Sequence, residues 1–134
     1  MRYKKPDKKN ALSIIEAAER DMKFTLNLKA TDLSSTTIIR NIYECFRMLG
    51  DALLVSKGID SKDHLAPINE LLKLNVRTKR PINLIENLRR LRHNINYYGY
   101  KPILEETIDV ITIAESIFYP LVKVVRVEVE NSKS

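Results

Sequence analysis

Seven polar side chains crowd into the stretch Asn83–Pro102, NLIENLRRLRHNINYYGYKP: Arg89, Arg90, Arg92, His93, Asn94, Asn96 and Tyr97. Arginine offers a rigid fork of N–H donors that fits phosphate or carboxylate. Histidine exchanges a proton near neutral pH, while asparagine and tyrosine orient partners by hydrogen bonds. Together these residue types could hold a phosphorylated ligand or, with a base in reach, act on it. The plain alternative is a solvated helix face whose arginines pair with Glu86 or with Glu105, Glu106 and Asp109 further on. Spacing alone does not choose between the two.

Elsewhere the chemistry is sparse. His64 stands beside no motif and reads as a capping or surface residue, and Cys45 lies in an apolar helical pattern and reads as a buried, inert thiol. Two histidines and one cysteine are too few for a metal site, and no glycine-rich phosphate loop or serine elbow is present. The expectation is no metal and no cofactor.

Helix is the element that would position the cluster. Pro81 suits a first helical turn, and the pattern should close near Tyr98–Gly99. On a wheel of 100° per residue, Leu84, Ile85, Leu88, Leu91 and Ile95 gather on one face, which must be core. Arg92, Asn96, Arg89, His93 and Tyr97 then span an arc of roughly 140°. Arg92 and Asn96 fall at the core's flank and so at a cleft edge; His93 and Tyr97, four apart, are neighbours on the outside.

The rest of the chain reads as scaffold. With 134 residues, 44% hydrophobic, 30% charged and only three glycines, it fits one helical domain better than a turn-rich β fold. Apolar stripes place helix 1 over about 9–28, helix 2 over about 35–57 and helix 3 over about 61–74, with Pro67 delaying or kinking the start of the last. Gly58 fits the residue just past helix 2, whereas Gly50 lies mid-helix, where a close helix–helix contact would offset its cost. Helix 5 opens at Pro102 and should kink or stop at Pro120. Residues 1–8 read as a flexible basic arm, 9–120 as the bundle and 121–134 as a tail whose V-R-V-E-V-E alternation suits a short strand as well as a frayed helix. The predicted class is all-α, an antiparallel up-and-down bundle of about five helices.

Charge points the same way as the motif. The formal net charge is +6, yet residues 1–9 carry +4 and residues 73–93 carry +6, so the remainder is net acidic. Localised positive charge suits a polyanion such as RNA better than a diffuse excess does. No apolar run is long enough to span a membrane, the basic start lacks the apolar core of a secretory signal, and a lone cysteine suits a reducing setting, so a cytoplasmic location is expected.

The five-helix pattern, with Arg92-His93-Asn94-Ile95-Asn96-Tyr97 near the end of the fourth helix, resembles the HEPN superfamily over roughly residues 10–120. That family's motif is an arginine, usually followed by a polar residue, with a histidine four to six residues on. Arg92 matches the arginine and His93 the polar position, but Tyr97 stands where the histidine would be. The resemblance implies a homodimer joined through the motif helices, two arginines side by side, and either metal-independent endoribonuclease activity, nucleotide binding or partnership with a small nucleotidyltransferase in a toxin–antitoxin pair. RNA cleavage without metal needs a base for the 2′-OH proton and an acid for the leaving oxygen. Tyrosine, ordinarily near pKa 10, serves poorly at neutral pH.

Two readings follow. One is a non-catalytic module in which Arg89, Arg92 and Asn96 bind the phosphate of a nucleotide or RNA, or dock a partner. The other is an endoribonuclease using Arg92 with His93 or Tyr97 as catalytic residues.

Overall fold

Every helix of the protein is arranged around the second one, and the reason is composition. In the computed structural model, which describes residues 2–60, 63 and 65–132, α1 spans Lys8–Leu26, α2 Ser35–Ser56, α3 Leu65–Leu72, α4 Leu84–Tyr98 and α5 Leu104–Glu130. More than half of α2 is buried, everywhere but along the stripe of Arg40, Glu44, Arg47 and Asp51, so it needs neighbours over most of its circumference. It has them: α1, α3, α4 and α5 each pack against it. The described residues thus form an all-α bundle of five helices. No helix among them is long and apolar enough to cross a membrane.

The core joins Ile15, Ala18 and Met22 of α1 to Ile38, Ile42, Phe46 and Leu49 of α2 and to Ile117, Phe118, Leu121 and Val125 of α5. Phe46 and Phe118 meet edge to face with ring centroids 5.5 Å apart, tying α2 to α5. On the α3 side, a Cβ placed on Gly50 would lie 2.1 Å from the carbonyl oxygen of Pro67, closer than any side chain allows. The mid-helix glycine therefore serves a backbone-to-backbone approach, as its position in an apolar stripe suggested. Pro67 lies in the first turn of α3, where its missing N–H costs nothing, and the helix begins at Leu65. The expected start at Ser61, and His64 with it, lie outside the described residues.

Two expectations about the ends are corrected. The expected basic arm 1–8 is not free over its described residues, 2–8: β1 (Arg2–Tyr3) pairs antiparallel with β2 (Ile59–Asp60), Lys4 N–H donates to Gly58 O at 2.6 Å, and Asp7 N–H donates to Val55 O at 3.1 Å. Gly58, at φ 75°, makes the turn beyond α2 that leaves these carbonyls available. The Asp7 carboxylate then caps α1 by accepting from Asn10 N–H at 2.9 Å. At the other end, 121–130 form neither a strand nor a separate tail, and Pro120 does not stop the helix. Leu121, Val122, Val125 and Val129 recur at helical steps and are buried, while Val127 is 55% exposed. Burial of that stripe outweighs the single backbone hydrogen bond that a proline removes.

Candidate functional site

Helix α4 is fixed by Ile85, Leu88 and Ile95, all buried, with Leu84 and Leu91 partly so. It ends in a left-handed Gly99 at φ 63°, and the Tyr100 N–H reaches back to Asn94 O at 3.1 Å. With the apolar face docked on α2, the polar arc lands as the wheel requires. Arg89 and Arg92 are half-buried, and His93, Asn96 and Tyr97 are exposed.

The seam between α2 and α4 brings side chains of both helices together. The Arg92 guanidinium lies over the Tyr43 ring, 5.6 Å from its centroid, a cation–π arrangement that holds the arginine at the cleft edge. Arg40 Nε donates to Asn96 Oδ1 at 2.7 Å and links the two helices a turn further on. Arg89 is engaged by Glu86, with an N···O distance of 2.6 Å. Its hydrogen bond holds the Glu86 carboxyl below the ordinary range. On α2, Arg47 bridges Glu44 and Asp51. Burial raises the Asp51 carboxyl even though Arg47 pulls it the other way.

Tyr43 is the centre of this seam. It is fully buried, and burial pushes its hydroxyl up to about 12, although Arg92, Arg47 and Arg89 each draw it down. At neutral pH the phenol is therefore uncharged and takes no proton. Cys45, one turn face away, is likewise raised to about 12, first by burial and then by Asp21 and Glu44. It is an inert thiol, as its pattern suggested.

The arginines fall into two groups. Arg47 and Arg89 are neutralised by neighbouring carboxylates, as the solvated-face alternative expects for Glu86. Arg90 and Arg92 make no ion pair with a carboxylate among the described residues; Arg90 Nη2 donates to Asn87 Oδ1 at 2.8 Å. Two of the acids at the start of α5 are engaged elsewhere. Asp109 pairs with Arg80 at 2.8 Å, and Glu106 accepts from Tyr100 Oη and from Ile103 N–H.

His93 stands apart from Arg92. Its ring packs against Tyr97 with centroids 4.6 Å apart, and against Tyr98 at 5.8 Å, on the exposed side of the helix. Of the expected site residues, Arg89, Arg92 and Asn96 thus share the α2-facing stripe, and His93 and Tyr97 share the outer one. What the motif did not reveal is the contribution of α2. Arg40, Glu44, Arg47 and Asp51 recur at steps of four, three and four, a polar stripe that was present in the sequence beside the apolar one.

Two cavities among the described residues lie away from α4. One of about 320 Å³ opens between α1 and α2 beside Asp21, Phe24 and Cys45, and a groove of about 650 Å³ runs between Arg77–Lys79 and α5. Neither is lined by an α4 residue. Among the described residues, no three His, Cys, Asp or Glu side chains gather where a metal ion could sit. No protein-family model, curated protein or solved structure matches the chain.

Proposed function

We propose that the protein is a HEPN-like, non-catalytic binding module that holds phosphate groups of RNA or a nucleotide on the α2–α4 seam. It acts as a homodimer of the kind paired with a small nucleotidyltransferase. The observation that carries the reading is Arg92: a half-buried guanidinium, oriented by an aromatic ring, with no carboxylate partner among the described residues. A pre-positioned and uncompensated guanidinium is suited to an anionic ligand. Arg89 and Asn96 supply further donors on the same stripe, at the cost of loosening Glu86 in the first case. Two protomers joined along α4 would double the positive charge, and a bound polyanion would offset the repulsion.

Placement supports the non-catalytic reading. Tyr43 is a neutral phenol, and His93 faces outward, around the helix from Arg92. An endoribonuclease using Arg92 with His93 or Tyr97 would need a second protomer to bring His93 to a phosphate held by Arg92. A binding titration of RNA between about 50 and 200 mM salt, together with a metal-free cleavage assay and light scattering, tests the reading. Expected are salt-sensitive binding by a dimer, reduced in Arg92→Ala, and intact RNA. Cleavage abolished by both Arg92→Ala and His93→Ala would establish the nuclease instead, and salt-independent or absent binding would refute the phosphate reading.

A further inference from the structure

The exposed end of α4 carries an aromatic array that neither the core nor the arginine stripe uses. Tyr97 and Tyr98 are 68% and 76% exposed, and Tyr100 is 41% exposed. Isolated exposed apolar residues need no explanation, but here His93 packs against both Tyr97 and Tyr98 in one exposed array, with a third tyrosine, Tyr100, two residues further on. That surface is built on a rigid support. The left-handed Gly99 closes the helix, the Tyr100 N–H is held by Asn94 O, and the Tyr100 hydroxyl is held by Glu106 of α5.

Charge identifies the occupant. Residues 87–101 contain Arg89, Arg90, Arg92 and Lys101 and no carboxylate at all. On one side Glu86 is engaged by Arg89; on the other the nearest acids are Glu105 and Glu106 in the first turn of α5, of which Glu106 is engaged by Tyr100. A second copy laid over this end would add four more positive charges to four, a repulsion that, as between protomers joined along α4, a bound polyanion would have to offset. A strand of nucleic acid would bring the opposite charge on its phosphates and flat faces on its bases. Unpaired bases stack on aromatic rings largely without regard to sequence, while a cationic track follows the backbone. The bases of a duplex are already stacked on one another and offer no such faces.

We infer that His93, Tyr97, Tyr98 and Tyr100 form a stacking platform for the bases of a single-stranded nucleic acid whose phosphates run along Arg90 and Lys101. The inference rests on the phosphate-binding reading above and adds to it the strandedness of the ligand. It also gives the tyrosine at position 97 a positive role, since its ring offers a flat face on which a base can stack.

Anisotropy titrations of the intact protein test it, with a labelled short oligouridylate, an abasic strand of the same length and charge, and a duplex. The single strand should bind best, and the abasic strand about tenfold or more weaker at equal salt. Tyr97→Ala and Tyr98→Ala should each weaken single-strand binding by about fivefold or more without altering the slope of log affinity against log salt. Tyr98→Phe should retain binding, because the ring remains. Arg90→Ala should lower the salt slope by about one instead. Equal binding of abasic and normal strands, with silent tyrosine variants and an intact salt slope, would overturn the platform and leave the phosphate reading standing. No salt-sensitive binding of any strand would overturn both. A fall in particle mass on Tyr97→Ala or Tyr98→Ala, with unchanged nucleic-acid affinity, would show that the rings meet a second copy and would overturn the platform alone.

Discussion

Helix α2 meets two of its neighbours in opposite ways. Toward α3 it presents Gly50, and the backbones approach so closely that one methyl group would collide with the Pro67 carbonyl. Toward α4 it presents Arg40 and Tyr43, and the contact is spread over guanidinium groups, an amide and an aromatic face. The first contact tolerates no change of volume and has no group left over for a ligand. The second leaves Arg92 with no carboxylate partner among the described residues. One helix thus supplies the rigidity on one side and the adaptable charge on the other.

The comparison can be broken most forcefully through the core that both contacts share. Phe46→Ala, which removes a buried ring packed on Phe118, should cost about 3–5 kcal/mol in urea unfolding. Gly50→Ala should follow at about 3 kcal/mol, the upper range for overpacking, because the group in the way is backbone and cannot rotate aside. A stability unchanged by that methyl would mean that α2 and α3 can part freely, and the contrast would fail.

The two kinds of arginine should then separate by readout. Arg47→Ala strands Glu44 and a partly buried Asp51 and should cost about 1 kcal/mol of stability while polyanion affinity holds. Arg92→Ala should cost less than about 1 kcal/mol, the value of a cation–π contact, while affinity falls. If both variants lost the same property, the division between neutralised and available arginines would not stand.

The smallest effect expected is in pH dependence. Glu86 has a carboxyl below its ordinary value in the folded protein, so its contribution is present above that ordinary value and is lost as pH falls through the folded one. Asp51 is raised and acts in the other direction, contributing at low pH and losing that contribution as pH rises through its folded value. Arg89→Gln should return the Glu86 carboxyl toward the ordinary range, seen directly in a carboxyl-carbon NMR titration, and leave Asp51 where it is.

Much of this architecture could be read from spacing, because it depends on local periodicity. Ile85, Leu88 and Ile95 go inward and Arg92 stands at the flank for no reason other than 100° per residue. Gly58 and Gly99 mark helix ends by their tolerance of left-handed torsions. What periodicity could not show depends on partners distant in the chain. The pairing of 2–3 with 59–60 joins segments that have no apolar pattern of their own. The V-R-V-E-V-E tract alternates as a strand would, yet α1 and α2 provide a surface that selects its helical stripe at Val125 and Val129. The partnership of Arg92 with Tyr43 spans two helices and leaves no mark on either alone.

The proline inside α5 has a mechanical consequence. That helix is the longest rod in the protein, 27 residues and so about 40 Å from end to end. At Pro120 one rung of its hydrogen-bond ladder is missing, since the ring nitrogen has nothing to donate toward the carbonyl four residues back. Bending of the bundle along its length will gather at that joint, so the α5 segment beside the aromatic end can sway as a unit against the segment packed at the opposite end.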